Sequence, residues 1–91
     1  MPQSLTEVVR ARVVDILVSH LPPGTTGAVA HDLRLGTDGL GFDSVAIVEI
    51  LLECERQFDM PFPASLFDAG PLTVGRLVDH ATGGLAARAR R

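Results

Sequence analysis

Residues 40–58, LGFDSVAIVEILLECERQF, predict the central helix of this 91-residue chain. At about 100° per residue, one side of a helix over Ser44 to about Phe58 collects a continuous apolar face. That face consists of Ile47, Ile50, Leu51, Cys54 and Phe58. Asp43 or Ser44 is expected to be the N-cap. The pattern predicts a buried face in which Cys54 is a small hydrophobic residue and not a nucleophile.

The same helix carries a second apolar line. Val45, Val48 and Leu52 are offset from the first face by a quarter to a third of a turn or more. The line is bordered by Glu49, Glu53, Glu55 and Arg56. The spacing alone is explained equally well by a wide buried face and by a surface that binds a partner.

Ser44 lies at the head of this second line. Most serines at helix N-termini act only as caps. The free backbone N–H groups and the positive end of the helix dipole would nevertheless stabilise an anion here, so a phosphodiester on Ser44 would be well placed. Gly41 lets the chain turn tightly and leaves room for another molecule. This position favours the partner-binding interpretation of the second line.

Residues before this segment predict one further helix and a long connection. A capping-box spacing of Ser4 and Glu7 begins a helix from about Leu5 to His20, which Pro22-Pro23-Gly24 ends. Its predicted core face is Leu5, Val9, Val13, Ile16 and Leu17. The connection to Asp43 is expected to contain a short helix or to be pinned to the core by apolar side chains. Those side chains are Val29, Leu33, Leu35, Leu40 and Phe42.

The C-terminal third predicts a short helix and a last long one. Pro61 and Pro63 force an extended segment, and PASLFDAG at 63–70 is typical of a short helical turn. The last helix is expected to begin after the N-cap Thr73, with Val74, Leu77, Val78 and Ala81 inside, and to end at Gly83-Gly84. We therefore predict an all-α fold, a small four-helix bundle with three main helices and a short one before the last. Residues 1–82 form the domain and residues 83–91 a flexible tail.

Composition narrows the possible functions. Hydrophobic residues make up 46% of the chain and the net charge is −3. Residues 32–68 hold eight acids and two arginines, a net charge of −6. Such a surface repels nucleic acid and suits either solvent or a basic protein surface. No membrane-spanning run and no signal peptide are expected, and the single cysteine suits a reducing cytoplasm.

The motifs together resemble the acyl carrier protein family. LGFDSVAIVEILLECERQF is similar to its LGxDS segment and following helix, while MPFPASLFD and LTVGRLVDHA are similar to its third and fourth helices. The likeness covers roughly residues 4–82. It implies a non-catalytic protein with 4′-phosphopantetheine on Ser44, installed from coenzyme A by a phosphopantetheinyl transferase. Asp43 would assist that modification, and the arm's thiol would hold an acyl group as a thioester.

The resemblance also implies which residues meet partners. Val45, Val48, Glu49, Leu52 and Glu55 match the helix that the family commonly docks onto partner enzymes. Those partners would include an acyl- or aminoacyl-loading enzyme and a ketosynthase or other acyl-transferring enzyme. We expect a cytoplasmic monomer that binds neither nucleic acid nor membrane.

The sequence departs from the family pattern at several places on this helix. Val45 and Ala46 stand where leucine and an acid are common, and Arg56 replaces a frequent acid. The chain is also rich in alanine, and all of its Lys and Arg positions are arginine. Together with the changes on this helix, this composition favours polyketide or related secondary-metabolite biosynthesis over fatty-acid synthesis. A free-standing aminoacyl or peptidyl carrier is an alternative. An unmodified helical interaction domain of the same fold is another.

The sequence gives little support to a metal site or to a hydrolase active site. Asp38 and Glu49 are spaced like the ends of an EF-hand loop, but Leu40 and Phe42 replace its oxygen ligands. His20, His31 and His80 lack ligand spacing and are expected to be surface residues. The G-x-S-x-G pattern of hydrolases is absent around Ser44. We predict no metal site and no catalytic residue.

Overall fold

The computed structural model describes residues 4–22, 29–68 and 70–89. Its helices are α1 Leu5–Ser19, α2 Ser44–Phe58, α3 Ser65–Asp68 and α4 Val74–Ala89. Within these ranges there is no strand, and one isolated bridge joins Arg34 to Thr73. The predicted all-α class is confirmed. The short helix expected before the last one is a single turn, beside three long helices.

The long helices begin where local capping signals predict. The Ser4 hydroxyl accepts a hydrogen bond from the Glu7 backbone N–H over 3.2 Å. The Asp43 carboxylate caps α2, and the Thr73 hydroxyl accepts from the Arg76 N–H over 3.2 Å to cap α4. Each cap satisfies a backbone donor that has no partner inside the helix.

The first two helices end close to their predicted limits. α1 ends at Ser19, with His20 as its C-cap, before the proline pair. Pro23 and Gly24, which were expected to end it, lie outside the described residues. α2 ends at Phe58, and its C-cap Asp59 has a φ of 52°, in the left-handed region where helices commonly terminate.

The core forms where α1 packs against α4 and α2. The predicted core face of α2 is confirmed, because all of its members are buried: Ile47, Ile50, Leu51, Cys54 and Phe58. On α1 the prediction holds for Val9, Val13, Ile16 and Leu17. It is wrong for Leu5, which is 44% exposed. As the first residue of α1, Leu5 lies at the edge of the helix packing, and its side chain borders a surface cavity instead.

The long connection is pinned to the core by its apolar side chains. Leu35 and Phe42 are buried, and Val29, Leu33 and Leu40 pack partly buried against the core. Residues 29–43 contain no helix. The sequence left open a short helix or anchoring by apolar side chains. In the described part of the connection, the structure shows the anchoring.

Gly83-Gly84 does not end α4, which continues to Ala89, so the sequence prediction is wrong here. A Cβ on Gly84 would lie 2.5 Å from the Met60 Sδ, so the small residue permits close packing against the end of α2. Leu85 packs against the core, and Arg88 donates a hydrogen bond to the Asp59 carbonyl. These contacts stabilise helical backbone that two glycines disfavour. The mobility of the tail at 83–91 stays a prediction.

The histidines are not all surface residues as expected. His31 is exposed, but His80 is half-buried. A His80 ring nitrogen lies 2.7 Å from the Pro61 carbonyl oxygen, and its ring meets Phe62 edge-on at 4.7 Å between centroids. His20, also half-buried, has a ring nitrogen 2.9 Å from the Ile16 carbonyl oxygen. The structure thus uses His80 and His20 to satisfy backbone carbonyls near the ends of helices or loops.

Candidate functional site

Ser44 is the first residue of α2, and its side chain is exposed. Among the described residues, no group is hydrogen-bonded to its hydroxyl. The cap of α2 is Asp43, whose Oδ1 accepts from the Ala46 N–H over 2.8 Å. Of the two predicted caps, the structure therefore selects Asp43. The Ser44 hydroxyl is left free for chemistry at the positive end of a 15-residue helix.

The turn before Ser44 contains a glycine, Gly41, with open space around it. Gly41 has a φ of 85°, a conformation that residues with a Cβ rarely adopt, and nothing lies within 4 Å of the position a Cβ would take. Its N–H donates to the Gly36 carbonyl over 2.8 Å. Glycine is therefore required here by the backbone and not by a crowding neighbour.

An ion pair lies in the same connection. Arg34 Nη1 contacts Asp38 Oδ2 at 2.5 Å, with both side chains about half exposed. The hydrogen bond from Arg34 lowers the pKa of Asp38 below its ordinary value. Because both groups are solvated, the pair contributes little to stability. The pair neutralises one of the eight acids of residues 32–68.

A cavity of about 330 Å³ lies beside this end of α2. It is bounded by Ile47, by the connection at residues 34–38 and by residues 70–72. Ile47 follows Ser44 by three positions, so the two side chains are neighbours on the helix surface. Sequence reasoning did not find this cavity, because its walls come from segments more than 30 residues apart and no local pattern marks it.

The second apolar line of α2 faces solvent. Val45, Val48 and Leu52 are 66%, 45% and 52% exposed. The alternative of a single wide buried face is therefore excluded. Exposure of three large apolar residues in a row along one helix face is typical of a surface that contacts another molecule.

The acids around this line differ in what they bind. Glu53 accepts a hydrogen bond from Arg56 over 2.7 Å, which lowers the pKa of Glu53. Glu55 accepts from the Phe62 backbone N–H over 3.0 Å and is half-buried. Glu49 is exposed and has no such partner among the described residues. Of the predicted docking acids, Glu49 is fully available, while one oxygen of Glu55 already serves the fold.

Cys54 is a free thiol buried in the core. Burial is the largest cause that raises its pKa, to about 12, and the neighbouring charge of Glu53 adds to it. A thiol is nucleophilic as the thiolate, which is negligible here at neutral pH. The prediction that Cys54 is a small buried hydrophobic residue is confirmed.

The described parts of the chain hold no group of three or more His, Cys, Asp or Glu side chains that could bind a metal ion. No helix within them is long and apolar enough to cross a membrane.

The chain is similar to known proteins over most of its length. Residues 28–81 match the family profile described as phosphopantetheine attachment site. An acyl carrier protein of Amoebophilus asiaticus (strain 5a2) is 38% identical over 72 residues, which span 79% of this chain and 86% of the relative. No solved structure gave a significant match. The profile covers more than half of the chain and includes both α2 and the connection before it.

Proposed function

The chain belongs to the acyl carrier protein family, whose prosthetic group is covalent 4′-phosphopantetheine, and on this premise we propose that Ser44 carries the group. The observation that supports this assignment is the free, exposed hydroxyl of Ser44 at the start of α2. The turn before Ser44 is uncrowded at Gly41, where nothing lies within 4 Å of a Cβ position. The positive end of the α2 dipole would stabilise the phosphodiester of the group. The residues present therefore fit the group.

Asp43 has two roles in this proposal. Its Oδ1 accepts from the Ala46 N–H, which leaves Oδ2 without a bond to the helix. We assign that second oxygen to the magnesium ion used by the transferase, as the resemblance to the family implies. In the modification, the Ser44 Oγ loses its proton and forms a bond to phosphorus, while the nucleotide part of coenzyme A leaves. When bound, the group supplies a terminal thiol that holds an acyl chain as a thioester.

The exposed line of α2 is the proposed docking surface. Val45, Val48 and Leu52 would contact an apolar patch of the partner, and Glu49 would meet a cation there. Glu55 would contribute its remaining oxygen at the edge. Acyl carrier proteins in general meet a phosphopantetheinyl transferase and acyl-handling enzymes, and are not themselves catalysts. We propose that the transferase and a loading enzyme or ketosynthase share this surface.

We propose polyketide or related secondary-metabolite biosynthesis as the pathway. The support is the reduced negative charge of α2, where Arg56 is paired to Glu53 and Ala46 replaces a common acid. A partner matched to this helix needs fewer cations than one matched to a more acidic carrier. The proposed compartment is the cytoplasm, which suits a chain whose single cysteine is a free thiol.

The attachment site is tested by intact mass. The apo protein is incubated with coenzyme A, magnesium and a broad-specificity phosphopantetheinyl transferase. We expect the wild type to gain the mass of one phosphopantetheine and Ser44→Ala to gain nothing. Ser65→Ala is the matched control, because Ser65 is also an exposed first residue of a helix. Equal addition to Ser44→Ala would contradict the assignment, because the group would then be on another residue. No addition to the wild type would also contradict it and would favour an unmodified interaction domain.

The cargo is identified by a second mass measurement. The protein is co-expressed with its genomic neighbours, and the mass on Ser44 is compared with that of the bare arm. An acyl group typical of polyketide assembly would support the proposed pathway. An aminoacyl group would instead establish an aminoacyl carrier on the same site.

A further inference from the structure

We infer that Leu35 is a positioning residue for the turn that presents Ser44, an inference that rests on Ser44 being the attachment site. Leu35 is fully buried although it lies in the middle of a connection without helix. Its N–H donates to the Leu72 carbonyl over 3.0 Å, and its carbonyl accepts from the Phe42 N–H over 2.9 Å. Leu35 thus joins the segment before α4 to the segment before Ser44.

The two hydrogen bonds belong to a short backbone ladder. Val74 N–H donates to the Leu33 carbonyl over 3.0 Å, and Leu40 N–H donates to the Arg34 carbonyl over 2.8 Å. The ladder therefore runs from the first residue of α4, through residues 33–35, to residues 40–42. Of the ladder's side chains in the connection, Leu35 is the most deeply buried, at 0% exposed against 7% for Phe42, so Leu35 is the main anchor of the ladder in the core.

Ser44 and the residues before it are held by different parts of the fold. The helical bonds of α2 hold Ser44, and the Ile47 N–H donates to the Asp43 carbonyl over 3.0 Å. Gly41 and Phe42 precede these bonds and are held by residues 35 and 36. Gly41 and Phe42 lead directly into Asp43 and Ser44, so the ladder fixes the path of the chain as it enters α2. A change at Leu35 should therefore affect how Ser44 is presented without removing any group at Ser44.

The test compares two buried leucines. Leu35→Ala removes the ladder's anchor, and Leu17→Ala, equally buried in α1, makes the same side-chain change outside the ladder. Both variants are studied at a temperature where circular dichroism shows them folded. We expect Leu35→Ala to lower the transferase kcat/KM by about tenfold relative to Leu17→Ala, since misplacement of a reacting group by about 1 Å can cost even more. The Phe42 amide should exchange with solvent at least about tenfold faster only in Leu35→Ala.

Milder variants keep the comparison possible. If either alanine variant does not fold, Leu35→Val is compared with Leu17→Val, and Leu35→Ile should restore the wild-type rate. Equal kcat/KM for both members of a folded pair would overturn the positioning role while leaving Ser44 as the attachment site. A wild type that gains no mass would instead show that the proposed function itself fails.

Discussion

The carboxylate of Asp43 accepts the Ala46 backbone N–H over 2.8 Å, so the acid next to the proposed attachment serine is also the N-cap of α2. The Asp43 side chain therefore both caps α2 and is proposed to assist the modification of Ser44. This geometry explains how Ser44 can begin the helix with a free hydroxyl, and it makes the two roles of Asp43 separable by substitution.

Asp43→Asn should keep the cap and lose the charge. Asparagine caps helices about as well as aspartate, whereas Asp43→Ala should lower the free energy of unfolding by about 1 kcal/mol. Both variants should be modified more slowly than the wild type, because neither offers a carboxylate oxygen to the transferase's magnesium. Urea unfolding and the time course of intact mass measure the two effects. A wild-type rate of modification for Asp43→Asn would show that the charge plays no part.

Truncation to alanine should affect the free energy of unfolding very differently at two adjacent leucines of α2. Leu51 is 3% exposed and Leu52 is 52% exposed. Leu51→Ala should lower the free energy of unfolding by about 2–5 kcal/mol, because it leaves a cavity in the core. Leu52→Ala should change it by no more than about 0.5 kcal/mol. Denaturant unfolding of both variants checks the stability difference.

The same leucine variant tests the docking surface. If Leu52 contacts partner enzymes, Leu52→Ala should slow acyl transfer by a partner while its stability stays near that of the wild type. Transfer at the wild-type rate would remove Leu52 from the proposed docking surface. A large loss of stability would instead mean that Leu52 is part of the core.

Cys54 should make the stability of the protein fall at alkaline pH. Burial raises the pKa of Cys54 from its ordinary value of 9.0 to about 12, so the folded thiol stays protonated where the unfolded one ionises. Its contribution to stability is complete below pH 9 and is lost progressively between pH 9 and 12. Each pH unit in that range should cost at most about 1.4 kcal/mol.

The substitution Cys54→Ala can isolate the contribution of this thiol to the pH dependence of stability. The chain has no lysine and no tyrosine, so Cys54 is the side chain expected to titrate between pH 9 and 12. Chemical unfolding of the wild type and of Cys54→Ala is measured from pH 8 to 11. The wild type should lose stability with rising pH, whereas the variant should show a nearly flat profile. Parallel profiles would contradict the raised pKa.

The two central glycines of α4 should differ when replaced by alanine. Nothing lies within 4 Å of a Cβ at Gly83, whereas a Cβ at Gly84 would lie 2.5 Å from the Met60 Sδ. Gly83→Ala should stabilise the protein by about 0.5–1 kcal/mol, because alanine is the better helix former. Gly84→Ala should gain less, since Met60 must move. Thermal unfolding compares them, and no gain at Gly83 would indicate that this part of α4 is not stably helical.

Local chemistry made α1, α2 and the cap at Asp43 predictable from the sequence. Capping side chains act within three residues, and the 3.6-residue period separates a buried face from the exposed Val45, Val48 and Leu52. The family motif at residues 40–58 is equally local, which is why the sequence alone is enough to propose Ser44 as the attachment site.

Contacts between residues distant in the sequence decided the length of α4 and the anchoring of the connection before Ser44. Two glycines disfavour a helix by themselves, yet α4 continues to Ala89 because Gly84 meets Met60 and Arg88 donates to the Asp59 carbonyl. The anchoring of the connection depends on backbone hydrogen bonds from Leu35 to Leu72 and Phe42, which no periodicity reveals. The sequence by itself determined the helix faces and the exposed serine, because those depend on neighbours along the chain. Tertiary structure alone decided where the last helix ends and how the Ser44 turn is held, because packing energy there outweighs local propensity.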